Sequence, residues 1–222
     1  MDEQTRIHEI YDRLIRTRDA QHWDPTSLSH FEGQPFKALI AAMLSAQTRE
    51  ENTTAAMGKL LALADTPEAM AQLTDEQIRN AISGVMYFEP KVRYVRDIAE
   101  HVAANGGVVP RTIDELMEYK GVGWKVAVLT LAMGYGINDN ITVDVHVARI
   151  GIRLGLVKPT TKQPPKVNEE LKQVLPREMW PYWNALMVQF GRAICLPTHP
   201  QCRRCPLNDI CPKIGVSQPN RA

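Results

Sequence analysis

The chain has 222 residues, a formal net charge of +1, 44% hydrophobic and 23% charged residues. This composition excludes a disordered or fibrous chain, and the length suffices for one large or two small domains with real cores. No apolar run is long enough to span a bilayer, and the charged opening Met1-Asp2-Glu3-Gln4-Thr5-Arg6 is not a secretory signal. The expectation is an intracellular, cytoplasmic protein, nucleoid-associated in a bacterium.

Residues 3–19 place Ile7, Ile10, Tyr11, Leu14 and Ile15 on one helical face. Pro25 and the Ser-, Gly- and Pro-containing stretch to Pro35 read as a connection. Residues 36–47 are almost wholly apolar and predict a buried helix. Thr66-Pro67-Glu68 starts a helix with proline at its first position. Thr74-x-x-Gln77 and Thr112-x-x-Glu115 are capping boxes that open two more. Pro90 opens another, which Asn105-Gly106-Gly107 stops. A helix is predicted from Asp144 to Leu154, and after a Pro164-Pro165 break short helices follow over 167–175 and 180–192. No segment alternates with period two, so the expectation is an all-α chain.

The chain is organised around residues 117–146. Gly121-Val122-Gly123 is a tight turn between two helical patterns, and its glycines permit positive φ and close approach to another molecule. The turn feeds directly into a helix, whose first N–H groups and positive end form an anion site suited to phosphate. This is the helix-hairpin-helix pattern, of which an ordinary helical hairpin with a glycine turn is the plainer reading. The net charge decides nothing about nucleic acid, but its distribution helps: beyond Val188, Arg192, Arg203, Arg204, Lys213 and Arg221 face only Asp209.

All four cysteines, Cys195, Cys202, Cys205 and Cys211, fall in one segment with the spacing C-x6-C-x2-C-x5-C. In a reducing compartment, thiolates this close imply a cation rather than disulfides. Zinc held by four thiolates and a cubane iron–sulfur cluster both fit that spacing. Arg203 and Arg204 lie inside the loop, where they could meet a DNA backbone.

Together these features resemble the endonuclease III family of DNA glycosylases. The resemblance covers nearly the whole chain and rests on Leu44-Ser45-Ala46-Gln47, Gly121-Val122-Gly123-Trp124-Lys125, Val143-Asp144-x-His146 and the cysteine spacing. It implies an all-α, two-domain fold. A six-helix barrel domain would span residues 27–137. A discontinuous domain, 1–26 with 138–222, would hold a [4Fe-4S] cluster in the loop 195–211. The implied partner is double-stranded DNA with damaged bases or abasic sites, not a membrane, and the implied state is a monomer. The implied activity is removal of oxidised pyrimidines such as thymine glycol, followed by strand cleavage at the abasic site.

The resemblance also assigns residues. Lys125 matches the amine that attacks sugar C1′ to give a Schiff base. Lys120 is its competitor and reads as a phosphate contact beside Gly121, Val122 and Gly123. Asp144 matches the carboxylate that stabilises charge on the sugar and assists proton transfer; it also reads as an N-cap, and His146 as a structural hydrogen-bonding group. The target base must be flipped out. Gln47 matches one wedge residue, and Met86, Tyr87 or Phe88 would supply a second, core packing being the alternative for each. The chain departs from the family pattern in three places: a longer wedge loop, Glu50 in place of Asp, and one extra residue between Lys125 and Asp144. Two other readings stand beside this one. An adenine-mismatch glycosylase lacks a lysine at the position of Lys125, and a non-catalytic DNA-binding module would have no use for Asp144.

Overall fold

The computed structural model describes residues 2–23 and 30–217. Residues 25–29 of the connection expected from Pro25 to Pro35, together with Arg221, lie outside the described residues. Among those described are eleven α-helices and no strand. They are α1 (Glu3–Ala20), α2 (Pro35–Ser45), α3 (Glu50–Leu63), α4 (Pro67–Ala71), α5 (Asp75–Ile82), α6 (Phe88–Ala104), α7 (Ile113–Met117), α8 (Trp124–Tyr135), α9 (Val145–Arg153), α10 (Pro164–Val174) and α11 (Trp180–Ala193). The chain divides into two compact units, a continuous one, Thr26–Ile137, and a discontinuous one, Met1–Pro25 with Asn138–Ala222.

The continuous unit is built on α2, which buries Phe36 and every residue from Ala38 to Leu44. A helix apolar on all sides must be surrounded, and α3, α6 and α8 pack against it. Helix α8 comes close at Gly134, where a Cβ would stand 2.7 Å from Pro35 Cα. Helix α3 was not expected. Its buried residues, Thr53, Ala56, Met57 and Leu60, do follow helical spacing, but the two threonines and Gly58 obscure it, and no side chain caps its start. The Thr74 capping box forms fully. At Thr112 only half forms, because Glu115 accepts the Thr112 hydroxyl instead of the N-cap N–H.

Two boundaries in this unit differ from expectation. Helix α2 stops at Ser45, not at residue 47, since Ala46 turns extended and Gln47 adopts φ +58°. Helix α6 begins at Phe88, so Pro90 sits in its first turn, where a missing N–H costs nothing.

In the discontinuous unit, α1 buries Ile7, Ile10 and Leu14 and packs on α11, with Tyr11 stacked on Trp183 at 6.5 Å between ring centres. Arg13 reaches from α1 to the far end of the chain, donating to the Pro206 carbonyl at 2.9 Å and to Asp209 at 2.6 Å. The Pro164-Pro165 pair is not a break before a helix. Both prolines form its first turn, where proline is favoured. Buried Asn168 of α10 accepts the Ile141 N–H and donates to Asn140, both at 2.9 Å, and Asn184 of α11 donates to the Thr142 carbonyl at 3.0 Å. These bonds fix the non-helical segment that leads into Asp144.

Candidate active site and cluster loop

In the continuous unit the hairpin runs from α7 to α8. Val122 is buried, and its N–H closes a turn on the Tyr119 carbonyl at 3.0 Å. Gly121 takes φ +83° and lies against Tyr94. Gly123 is the N-cap of α8, and no side chain caps the helix. Its first-turn N–H groups therefore remain for another acceptor, which is the feature that binds phosphate. Lys125, half-buried, is the second residue of α8. Lys120 is exposed and pairs loosely with Asp97 at 3.9 Å.

The wedge candidates lie in the same unit. Gln47 and Tyr87 both adopt the left-handed region without being glycine, at φ +58° and +52°, a conformation that persists only where the surroundings hold it. Met86 and Tyr87 are 54% and 65% exposed. Phe88 is half-buried against the core, as the first residue of α6. Gln47, Thr48, Arg49 and Asn52 line one groove with Met86 and Tyr87. The fold thus brings the Gln47 turn and the second loop together.

Lys91 went unnoticed in the sequence. It is 6% exposed and donates to the Leu44 and Ala46 carbonyls at 2.9 and 2.7 Å, and to Thr48 Oγ1 at 3.3 Å. Burial pushes its ammonium down to about 8. The available signal was a lysine in register with Val92, Val95, Ile98, Ala99 and Val102 on the buried face of α6.

In the discontinuous unit, Asp144 is the N-cap of α9. Its Oδ1 accepts the N–H groups of His146 and Val147, both at 2.9 Å. Oδ2 takes no part in the cap. His146 lies against Gly191, where a Cβ would come 2.4 Å from its Nδ1, and Arg149 reaches the same nitrogen at 3.2 Å. That packing agrees with a structural part for His146.

The four cysteines line one cavity together with Arg153, Phe190 and Leu207. Arg153, on α9, donates to Cys195 Sγ at 3.2 Å and to the Leu196 and Pro197 carbonyls, each at 2.7 Å. The Leu207 N–H donates to Cys205 Sγ at 3.4 Å. Burial pushes the Cys205 thiol up to about 12 and raises Cys211 as well, so these groups ionise only if a cation binds them. Among the described residues, no three His, Cys, Asp or Glu side chains converge on the position of a single metal ion. Arg203 and Arg204 are exposed on the short turn Cys202–Arg204, and Arg204 also donates to the Ala193 carbonyl at 3.1 Å. No helix of the described residues is long and apolar enough to cross a membrane.

Comparison with known proteins gives this geometry its context. Residues 40–177 match the HhH-GPD superfamily base excision DNA repair protein family. The chain is 38% identical over 184 residues to endonuclease III of Thermotoga maritima, covering 82% of this chain and 85% of that one. It is 36% identical over 178 residues to the mouse endonuclease III-like protein 1, covering 80% of this chain but only 59% of the relative's length. A solved non-covalent endonuclease III–DNA complex superposes with TM-score 0.83 at 28% identity, over 96% of this chain and 97% of that one. A trapped endonuclease III–DNA covalent intermediate does so with TM-score 0.80, at the same identity and coverage. The chain belongs to the endonuclease III family of base-excision DNA glycosylases.

Proposed function

We propose that the protein is a bifunctional glycosylase and abasic-site lyase that removes oxidised pyrimidines, thymine glycol among them, from duplex DNA. The observation that carries this reading is the placement of Lys125. It stands in the first turn of α8, directly after the Gly121–Gly123 turn, at a helix start that no side chain caps. A phosphate received there brings a neighbouring sugar within reach of a lysine. That the trapped intermediate among its structural relatives is a covalent endonuclease III–DNA species supports the same chemistry.

The neutral Lys125 amine attacks C1′ while the bond from C1′ to the base breaks, and the base leaves with that electron pair and takes up a proton. Once the Lys125 nitrogen has lost a proton, its lone pair forms the C=N bond of a Schiff base as the bond from C1′ to O4′ breaks, and O4′ takes up a proton as the ring opens. Removal of a C2′ proton then expels the 3′ phosphate, so the strand is cut by β-elimination. The Asp144 carboxylate, with Oδ2 outside its cap, stabilises positive charge on the sugar and moves protons. Gln47, with Met86 or Tyr87, fills the space that the flipped base leaves.

Cys195, Cys202, Cys205 and Cys211 would hold a [4Fe-4S] cluster. Four thiols around one cavity fit it, as do an arginine and a backbone N–H donating to sulfur. When bound, the cluster would supply folding energy to a segment with few core residues of its own. Arg203 and Arg204 would present charge to the DNA backbone from this loop.

Borohydride trapping on duplexes carrying one thymine glycol or one abasic site tests the reading. Covalent trapping of the wild type on both, and loss with Lys125→Ala, is the expected result. Trapping that persists in Lys125→Ala would move the nucleophile elsewhere, first to Lys120.

A further inference from the structure

Lys91 occupies a place where α6 should be apolar. Its partners are two carbonyls and a hydroxyl, not a carboxylate. Leu44 and Ala46 belong to the end of α2, whose last carbonyls have no helical partner and whose negative end favours a cation. The lysine therefore ends α2 from outside.

Thr48 completes the arrangement. Its hydroxyl donates to the Ala46 carbonyl at 3.3 Å and accepts from the Met86 N–H at 3.2 Å and from Lys91 at 3.3 Å. One proton and two lone pairs are thereby all used. Gln47 sits between Ala46 and Thr48 with its strained backbone, and Tyr87 follows Met86 with the same strain. One ammonium and one hydroxyl thus join two loops far apart in sequence, each carrying an unfavourable conformation that needs restraint.

We propose that Lys91, acting with Thr48, is a positioning residue for base extrusion: it locks the Gln47 turn and the Met86–Tyr87 loop into one rigid wedge that enters the duplex as a unit. The inference rests on the reading that these loops fill the space of the flipped base. A wedge organised beforehand does not lose the entropy of ordering two loops when it inserts. The wedge inserts beside the widowed base on either duplex, but the rate gains most for a base that is stacked and paired, and least at an abasic site, where there is no base to extrude.

The test uses the full-length protein with three substitutions. Lys91→Met removes the ammonium. Thr48→Val keeps the shape and removes the shared hydroxyl, and Thr48→Ser restores it. Single-turnover rates are measured on thymine-glycol and abasic-site duplexes. Wedge insertion is read separately, from the rise in fluorescence of an aminopurine placed opposite an uncleavable abasic analogue at saturating protein. Lys91→Met and Thr48→Val are expected to slow the thymine-glycol reaction about tenfold more than the abasic-site reaction and to lose most of the fluorescence rise, while Thr48→Ser keeps both wild-type values. Equal losses on the two duplexes with the fluorescence rise intact would overturn the proposal, as would no loss at all. A wild type inactive on thymine glycol would count against the lesion reading alone, and the fluorescence signal would then decide this inference by itself.

Discussion

Gly121 rests so closely on the Tyr94 ring that a Cβ at this position would stand 2.4 Å from Tyr94 Cδ2. With φ at +83° the glycine is required twice, for its backbone and for its lack of a side chain. The two requirements can be separated. Gly121→Ala should lose about 1–2 kcal/mol for the left-handed backbone and more for the clash, with weaker binding to any duplex. Adding Tyr94→Ala should return the part due to the clash, which a denaturation cycle reads as non-additivity. Strict additivity would show that the hairpin does not lean on Tyr94.

Asp144 combines a cap with a proposed chemical part, and its two oxygens allow these to be distinguished. Asparagine caps a helix about as well as aspartate. Asp144→Asn should therefore leave the unfolding midpoint nearly unchanged while base release slows by about 10²-fold or more. Asp144→Ala should slow release similarly and also lose about 1 kcal/mol of stability. An unchanged single-turnover rate in the Asn variant would remove Asp144 from the reaction.

Arg203 offers the cleaner test of backbone contacts, since Arg204 also holds the Ala193 carbonyl. Arg203→Ala should weaken all duplexes alike and reduce the slope of log K against log salt by about 0.9. A change in lesion preference with the slope intact would mean that Arg203 meets bases rather than phosphate.

Lys91 makes stability depend on pH in a known direction. In the unfolded chain it releases its proton near 10.5, and in the fold burial brings this down to about 8. Between those values the unfolded chain holds more protons, so stability rises with pH across the window. The span is about 3 kcal/mol. Urea titrations should show the wild type gaining on Lys91→Met from about pH 8 to 10.5. A flat difference would mean that the three acceptors hold the ammonium near its ordinary value.

What was legible in the sequence was whatever is decided locally. The Thr74 box, the proline at Thr66-Pro67 and the Asp144 cap are each determined within a few residues, and each stands where its motif lies. The end of α2 is different. It depends on a lysine more than forty residues away, which no local pattern announces. Phe88 could be read as wedge or core until the start of α6 turned it inward, leaving Met86 and Tyr87 as the exposed pair. The Pro164-Pro165 pair misled because two adjacent prolines suit either a break between helices or the first turn of one, and only the packing of Val167 and Leu171 decides between them.

The bond from Arg13 to Pro206 and the stacking of Tyr11 on Trp183 have a consequence during synthesis. Helix α1, which buries Ile7, Ile10 and Leu14, is synthesised well before α11, the helix against which it packs. At typical elongation rates the apolar face of α1 waits roughly 10–40 s for its partner. The continuous unit, whose helices all lie within one stretch, can close in the meantime. A nascent chain stalled before α11 would therefore present a folded body carrying one sticky helix, the kind of surface that chaperones bind.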